Sequence, residues 1–195
     1  MKKIIIFTAA LFLFVTAKTQ DPHFGVKGGL NAASLNMDGT SHQTRIGFNA
    51  GAFAHIHTSL NWSIQPEIMY STEGARIPLV GGNLTAKYQL NYLNFPVLLQ
   101  YMFNNGLRVE GGAQFGVLLS AKDKVGSETR DINDHFQSTS VSIPLGVSYL
   151  TRKGFGLDAR YVFGLSNISA DENRTMQSNV FQFDIFYQLS DKWKK

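Results

Sequence analysis

Seven charged residues stand inside apolar surroundings: Lys27 in FGVKGGL, Glu67 in WSIQPEIMY, Arg108 and Glu110 in GLRVEGG, Asp158 and Arg160 in FGLDARYVF, and Asp184 in FQFDIFY. Three are cations and four are carboxylates, and they come from well-separated segments. In a dry interior such groups persist only when paired and hydrogen-bonded, because an isolated buried charge costs several kcal/mol. The same residue types could also carry protons or ions across a membrane. The pattern therefore offers two chemistries, a structural charge network or an ion path.

Other candidates carry less. His55 and His57 lie two apart, a spacing that can share a metal, but a metal site needs more ligands than two. Asp134 and His135 stand near Ser138 and Ser140, yet a hydrolytic triad is defined by geometry rather than neighbourhood, and no G-x-S-x-G elbow is present. The glycine pairs at 28–29 and 81–82 open no helix, so phosphate binding is unsupported. Asn83-Leu84-Thr85 matches a glycosylation acceptor pattern. No catalytic residue, cofactor or metal is expected.

The charged residues owe their placement to strands. In GLRVEGGAQFGVLLS, residues 106–120, one set reads Leu, Val, Gly, Ala, Phe, Val, Leu and the other Arg, Glu, Gly, Gln, Gly, Leu, Ser. A period of two is a strand with one apolar and one polar face. The same alternation recurs at 24–35, 44–57, 61–72, 86–103, 138–150, 155–167 and 179–189, which makes eight strands. In the fourth the phase slips near Tyr92–Leu93, which predicts a bulge there. The connections alternate: short at 58–60, 104–106 and 151–154, long and polar at 36–43, 73–85, 122–135 and 169–178. Outer-membrane barrels have short periplasmic turns and long outer loops, and an even strand count returns both ends to the periplasm.

The opening segment MKKIIIFTAALFLFVTAKTQ has a basic start, an apolar run and small residues after it, the three regions of a secretory signal. Its apolar run is shorter than the roughly 20 residues of a spanning helix. The expected organisation is a signal peptide over residues 1–19, cleaved near 17–19, and a barrel over 20–195. Charged residues make up 16% of the 195 residues and there is no cysteine, against a usual charged share of about 25%. The formal charge of +4 has lysines at both extreme ends and leaves the middle near neutral, which argues against a nucleic-acid partner.

The expected fold is an all-β, eight-stranded antiparallel up-and-down transmembrane barrel. Its Leu, Val and Phe face would meet lipid, and its Arg, Glu and Gln face would fill the interior. Aromatics beside the short turns, Trp62, Tyr101, Phe103, Tyr149, Phe155 and Tyr187, would form the periplasmic interface girdle. Alternation alone also fits a soluble exported barrel with the two faces exchanged. An eight-stranded barrel is just wide enough for side chains to fill, so the seven charges read as a plug. A small-solute porin is the alternative, and a lipid-modifying enzyme is a further one. The mixed-sign loop at 122–135 reads as external, with ligand or lipopolysaccharide contact an open alternative.

Six segments in this order, FGVKGGLN, GFNAGAFAHI, WSIQPEIMYSTEGAR, YLNFPVLLQYMF, RVEGGAQFGVLLSAK and GFGLDARYVFGLSNI, resemble the PorT-like family of small outer-membrane β-barrels over residues 24–189. The resemblance implies an eight-stranded barrel in outer-membrane lipid, inserted by the barrel-assembly machinery. The chain departs from that family in adding SDKWKK after Leu189.

Overall fold

The computed structural model describes residues 22–37, 40–41, 43–78, 85–126, 128–171 and 173–189. The expected signal segment and the residues after Leu189 lie outside them. Eight long strands form the barrel: β1 (His23–Met37), β2 (Gln43–His57), β3 (Trp62–Pro78), β4 (Thr85–Met102), β5 (Leu107–Val125), β6 (Thr139–Leu150), β7 (Phe155–Gly164) and β8 (Met176–Gln188). Each pairs antiparallel with its sequence neighbour, and β8 returns to pair with β1 from Gly25↔Gln188 to Met37↔Met176. The sheet is closed and leaves no long edge. Two short strands, Thr40–Ser41 and Glu128–Asp131, fold back on the ends of β1 and β5.

The outward face is apolar on every side. Leu30, Leu145, Phe183 and Ile185 are 61%, 50%, 48% and 59% exposed. Exposed apolar surface that continues around a molecule is the mark of a surface meant for lipid, and it excludes the soluble barrel with its apolar face inward. At the end with short turns the aromatics gather. Trp62 packs edge-to-face on Tyr101 at 5.1 Å, Tyr101 on Phe103 at 5.0 Å, and Phe155 tilts against Tyr187 at 4.7 Å. Tyr149 stands outward on the same rim, opposite Leu107. Gly106 and Gly154 close two of these turns with φ of 93° and 90°, angles that side chains with a Cβ rarely adopt.

Two expectations need correction. The strands at the long-loop end run further than their alternation suggested. β3 continues to Pro78 and β5 to Val125, and within 122–135 the chain turns into a hairpin that sets Lys122 opposite Asp131. Beyond the apolar band the outward face turns polar while Ala75, Leu90 and Ala121 keep the inward face apolar, so the period that reveals a strand changes sense and fades. In contrast, β7 stops at Gly164 rather than at 167.

The bulge is the second correction. β4 keeps one phase throughout, with Leu90, Tyr92, Asn94, Leu98 and Gln100 all buried inward. The extra residue belongs to β5, where Asn91 pairs with Ser120 and Tyr92 with Leu118, leaving Leu119 over. Leu90 and Tyr92 suggested a slip because they are apolar. They are inward all the same, because the barrel interior itself turns apolar at this height.

Candidate functional site: the barrel interior

The interior is stacked in levels. Towards the short turns, Phe53 and Phe186 meet edge-to-face at 5.8 Å. Above them lies an ion network. Highest is an apolar cap of Leu35, Ala75, Leu90, Tyr92, Ala121, Phe136 and Ile168. Phe136 and Ile168 come from two long loops that bond to each other through Gln137 N–H to the Ile168 carbonyl, 2.8 Å, and Ala170 N–H to the His135 carbonyl, 3.0 Å.

Arg160 is the centre of the network. Its guanidinium grips Glu67 with both terminal nitrogens, Nη1 to Oε2 at 3.0 Å and Nη2 to Oε1 at 3.2 Å. The same Nη2 reaches Glu110 Oε1 at 2.7 Å and Asp158 Oδ2 at 2.5 Å. Strands β7 and β3 are four apart in a ring of eight, so the Arg160–Glu67 fork spans the whole lumen. Lys27 adds a second cation, paired with Asp158, with Asp184 Oδ2 at 3.3 Å and with Glu67 Oε1 at 3.7 Å. All six side chains are almost wholly withdrawn from solvent.

Neutral groups finish the network, as buried charges require. Gln100 Nε2 donates to Glu110 at 2.7 Å, Gln65 Nε2 to Glu67 at 2.8 Å, and Asn49 Nδ2 to Asp184 at 2.8 Å. Ser148 Oγ lies 3.5 Å from Glu110. Every one of the eight strands thus contributes a group. Two glycines make room: a Cβ at Gly29 would sit 2.0 Å from the Phe183 carbonyl oxygen and 2.4 Å from the Asp184 carboxylate, and one at Gly146 would sit 2.7 Å from Arg160 Cβ.

Of the seven charges expected inside, the structure brings six together: Lys27, Glu67, Glu110, Asp158, Arg160 and Asp184. Arg108 is buried inward but stands apart. It lies nearer the short turns and donates to Gln188 Oε1 at 3.3 Å. Two residues above Arg108 on the same face, Glu110 already points up into the Arg160 cluster.

One interior acid escaped the sequence reading. Glu73, placed there in a loop, is inward on β3 and accepts from Ser71 at 3.1 Å, Asn94 at 3.3 Å and Ser178 at 2.8 Å. Gln65, Glu67, Ser71 and Glu73 share one parity, and carrying the alternation onward would have found it. Beside Glu73 is a cavity of about 20 Å³, also lined by Tyr92, Gln114 and Ser142, room for about one water.

The remaining candidates do not assemble. His55 is buried at the lower mouth with Nδ1 3.3 Å from Gln65, and its ring meets His57 edge-to-face at 4.7 Å, with His23 against His57 at 5.5 Å. Among the described residues no three ligating side chains are arranged for a metal. Asp134 and His135 form an exposed 3-10 turn, and no hydrogen bond among the described residues joins the His135 side chain to Ser138 or Ser140.

Residues 18–170 match the family model described as outer membrane protein beta-barrel domain. Among solved structures, Neisserial surface protein A is similar with a TM-score of 0.61 and 15% identity, over 85% of this chain and 97% of that one. Ail, the attachment invasion locus protein of Yersinia pestis, solved with the heparin analogue sucrose octasulfate, gives 0.54 and 17% identity over 87% of this chain and 100% of that one. At such identities the likeness is one of fold. No curated protein matches the sequence.

Proposed function

The chain belongs to the outer membrane protein beta-barrel domain family and lies in the bacterial outer membrane, and we propose that it serves there as a closed barrel with a structural or binding role, not as a pore. The observation that carries this reading is the Arg160–Glu67 fork across the full width of the lumen. Below it the Phe53–Phe186 pair narrows the lumen, and above it the apolar cap closes the mouth. An ion would have to break a buried charge network and cross an apolar layer to pass. With the interior committed to packing, recognition falls to the outer hairpins.

Within the family we place the chain with PorT-like barrels, on the ordered segments quoted above. A signal peptide over residues 1–19 directs export, the barrel-assembly machinery inserts the chain into outer-membrane lipid, and the long loops face outside. No catalytic role is proposed, since the six clustered charges are held by one another and Arg108 and Glu73 by neutral partners.

Two experiments test this. In planar bilayers, purified protein gives no steady open current; a large, stable single-channel conductance would replace this reading with the small-solute porin. For orientation, Arg130→Cys and Lys153→Cys give single thiols in a chain that has none of its own. Arg130 is exposed on the hairpin that follows β5, and Lys153 lies in the turn before β7. An impermeant maleimide labels position 130 on intact cells and leaves position 153 unlabelled until the outer membrane is opened. The reverse pattern would invert the topology.

A further inference from the structure

Three cations stand side by side on the outward face at the long-loop end. Arg76 on β3 pairs in register with Lys87 on β4, and Lys87 with Lys124 on β5. Residues directly opposite in an antiparallel sheet share a face. The neighbours Ala75 and Ala86 are buried inward, so Arg76 and Lys87 point away from the lumen, and all three cations are exposed. Like charges directly opposite one another destabilise a sheet. Elsewhere such pairs are compensated: Asp158 faces Asp184 with Lys27 paired to both, and Lys122, two residues from Lys124, has Asp131 across from it. Lys124 faces Thr129 instead. No ion pair reaches any of the three among the described residues. On the next strand Arg45 adds its charge beside Arg76 while its guanidinium is held on the Glu73 carbonyl at 2.7 Å.

The height of this row says what it faces. On β3, Trp62 marks the girdle and Arg76 lies 14 positions further along the strand. At about 3.3 Å per residue and a tilt near 40°, that is roughly 35 Å above the girdle, against an apolar band about 25 Å tall. On β4 the outward series runs Leu93, Asn91, Gln89, Lys87, so the apolar surface ends and two polar positions intervene before the cation. The row therefore sits about 10 Å beyond the hydrocarbon, at the level of headgroups and their first sugars.

We propose that Arg76, Lys87 and Lys124 form a binding site for the phosphorylated saccharide headgroup of an outer-leaflet glycolipid. Bridging phosphates turn the repulsion along the row into attraction and tie the β3–β5 side of the barrel to the lipid around it. The assignment rests on the long loops facing outside, which the thiol labelling tests independently; the binding measurement below uses purified protein and does not depend on orientation in cells.

Fluorescent diphosphoryl lipid A is titrated into the folded protein held in phosphatidylcholine nanodiscs, alongside the same lipid A after phosphatase treatment. A cation near an anionic lipid surface contributes roughly 5-fold in affinity, and three together about 100-fold. Wild type is therefore expected to bind the phosphorylated form about 100-fold more tightly. The triple variant Arg76→Gln/Lys87→Gln/Lys124→Gln should lose that preference. Arg152→Gln/Lys153→Gln, which removes as many as two cations from the opposite rim, should keep it. Equal affinity of wild type for both lipids, or an undiminished preference in the triple variant, overturns the proposal. Complete competition by millimolar inorganic phosphate would make the row a site for soluble anions and overturn the lipid assignment. Heat-modifiable gel mobility reports folding of each variant; if the triple variant does not fold, the phosphate preference of wild type and its loss at high salt decide the matter.

Discussion

Leu145→Arg destabilises the folded barrel by about 2–4 kcal/mol, whereas Leu60→Arg changes it by less than about 0.5 kcal/mol. By exposure alone the order would be unexpected, since Leu60 is 95% exposed and Leu145 is 50% exposed. Both are leucines with open surroundings, and in water neither substitution would matter much. The difference lies in the solvent. Leu145 is outward on β6, four positions up from the girdle residue Tyr149, near the middle of the apolar band. Leu60 lies in the turn between β2 and β3, below the girdle. An arginine at 145 must sit in hydrocarbon or bend its chain towards an interface. One at 60 meets water. Denaturant unfolding of the two variants in lipid vesicles measures both values. Equal effects would mean that the Leu, Val and Phe face does not contact lipid.

Arg160→Met is expected to cost about 3–5 kcal/mol, the range for breaking a buried ion pair by removing one partner. The substitution keeps much of the side-chain volume and removes only the charge and its hydrogen bonds. Glu67, Glu110 and Asp158 all contact the Arg160 guanidinium. Without it, Lys27 is the one cation left in the cluster for four carboxylates. Arg108→Met makes the informative comparison. Arg108 is also buried, yet it donates a hydrogen bond of 3.3 Å to the neutral Gln188. A hydrogen bond involving a charged group is worth roughly 1.5–3 kcal/mol, and this one is long, so Arg108→Met should cost less than half as much. Unfolding midpoints and slopes for the two variants decide it. If they fall by the same amount, the network around Arg160 is not what holds the lumen closed. The doubly substituted Arg160→Met/Glu67→Met should recover part of the loss, because it removes the stranded carboxylate with its partner.

Much of this was legible in the chain. The strand count, the apolar outward face and the asymmetry of the connections all follow from a period of two and from where it stops. So does the inward position of the seven charged residues first singled out, since alternation assigns a face without knowing the partner. The reading failed where the period carried no contrast. Leu90 and Tyr92 looked like lipid-facing residues because they are apolar, but the interior around them is apolar as well. Glu73 was lost to a loop because Ser71-Thr72-Glu73-Gly74-Ala75-Arg76 carries no apolar-polar alternation to mark the strand.

Within the apolar band the sequence by itself determined which side chains face into the barrel. Only the tertiary structure decided which of them meet. A period of two records a residue's face but nothing about its height along the barrel axis. Height is set by the tilt of the strands and the stagger between each and its neighbour. That stagger brings Arg160 of β7 level with Glu67 of β3, on the far wall and 93 positions away in the chain. It leaves Arg108 below the cluster although Arg108 lies on the same face of the same strand as Glu110. It also lines up Arg76, Lys87 and Lys124, which are unremarkable alone in the sequence, into one row at the edge of the lipid.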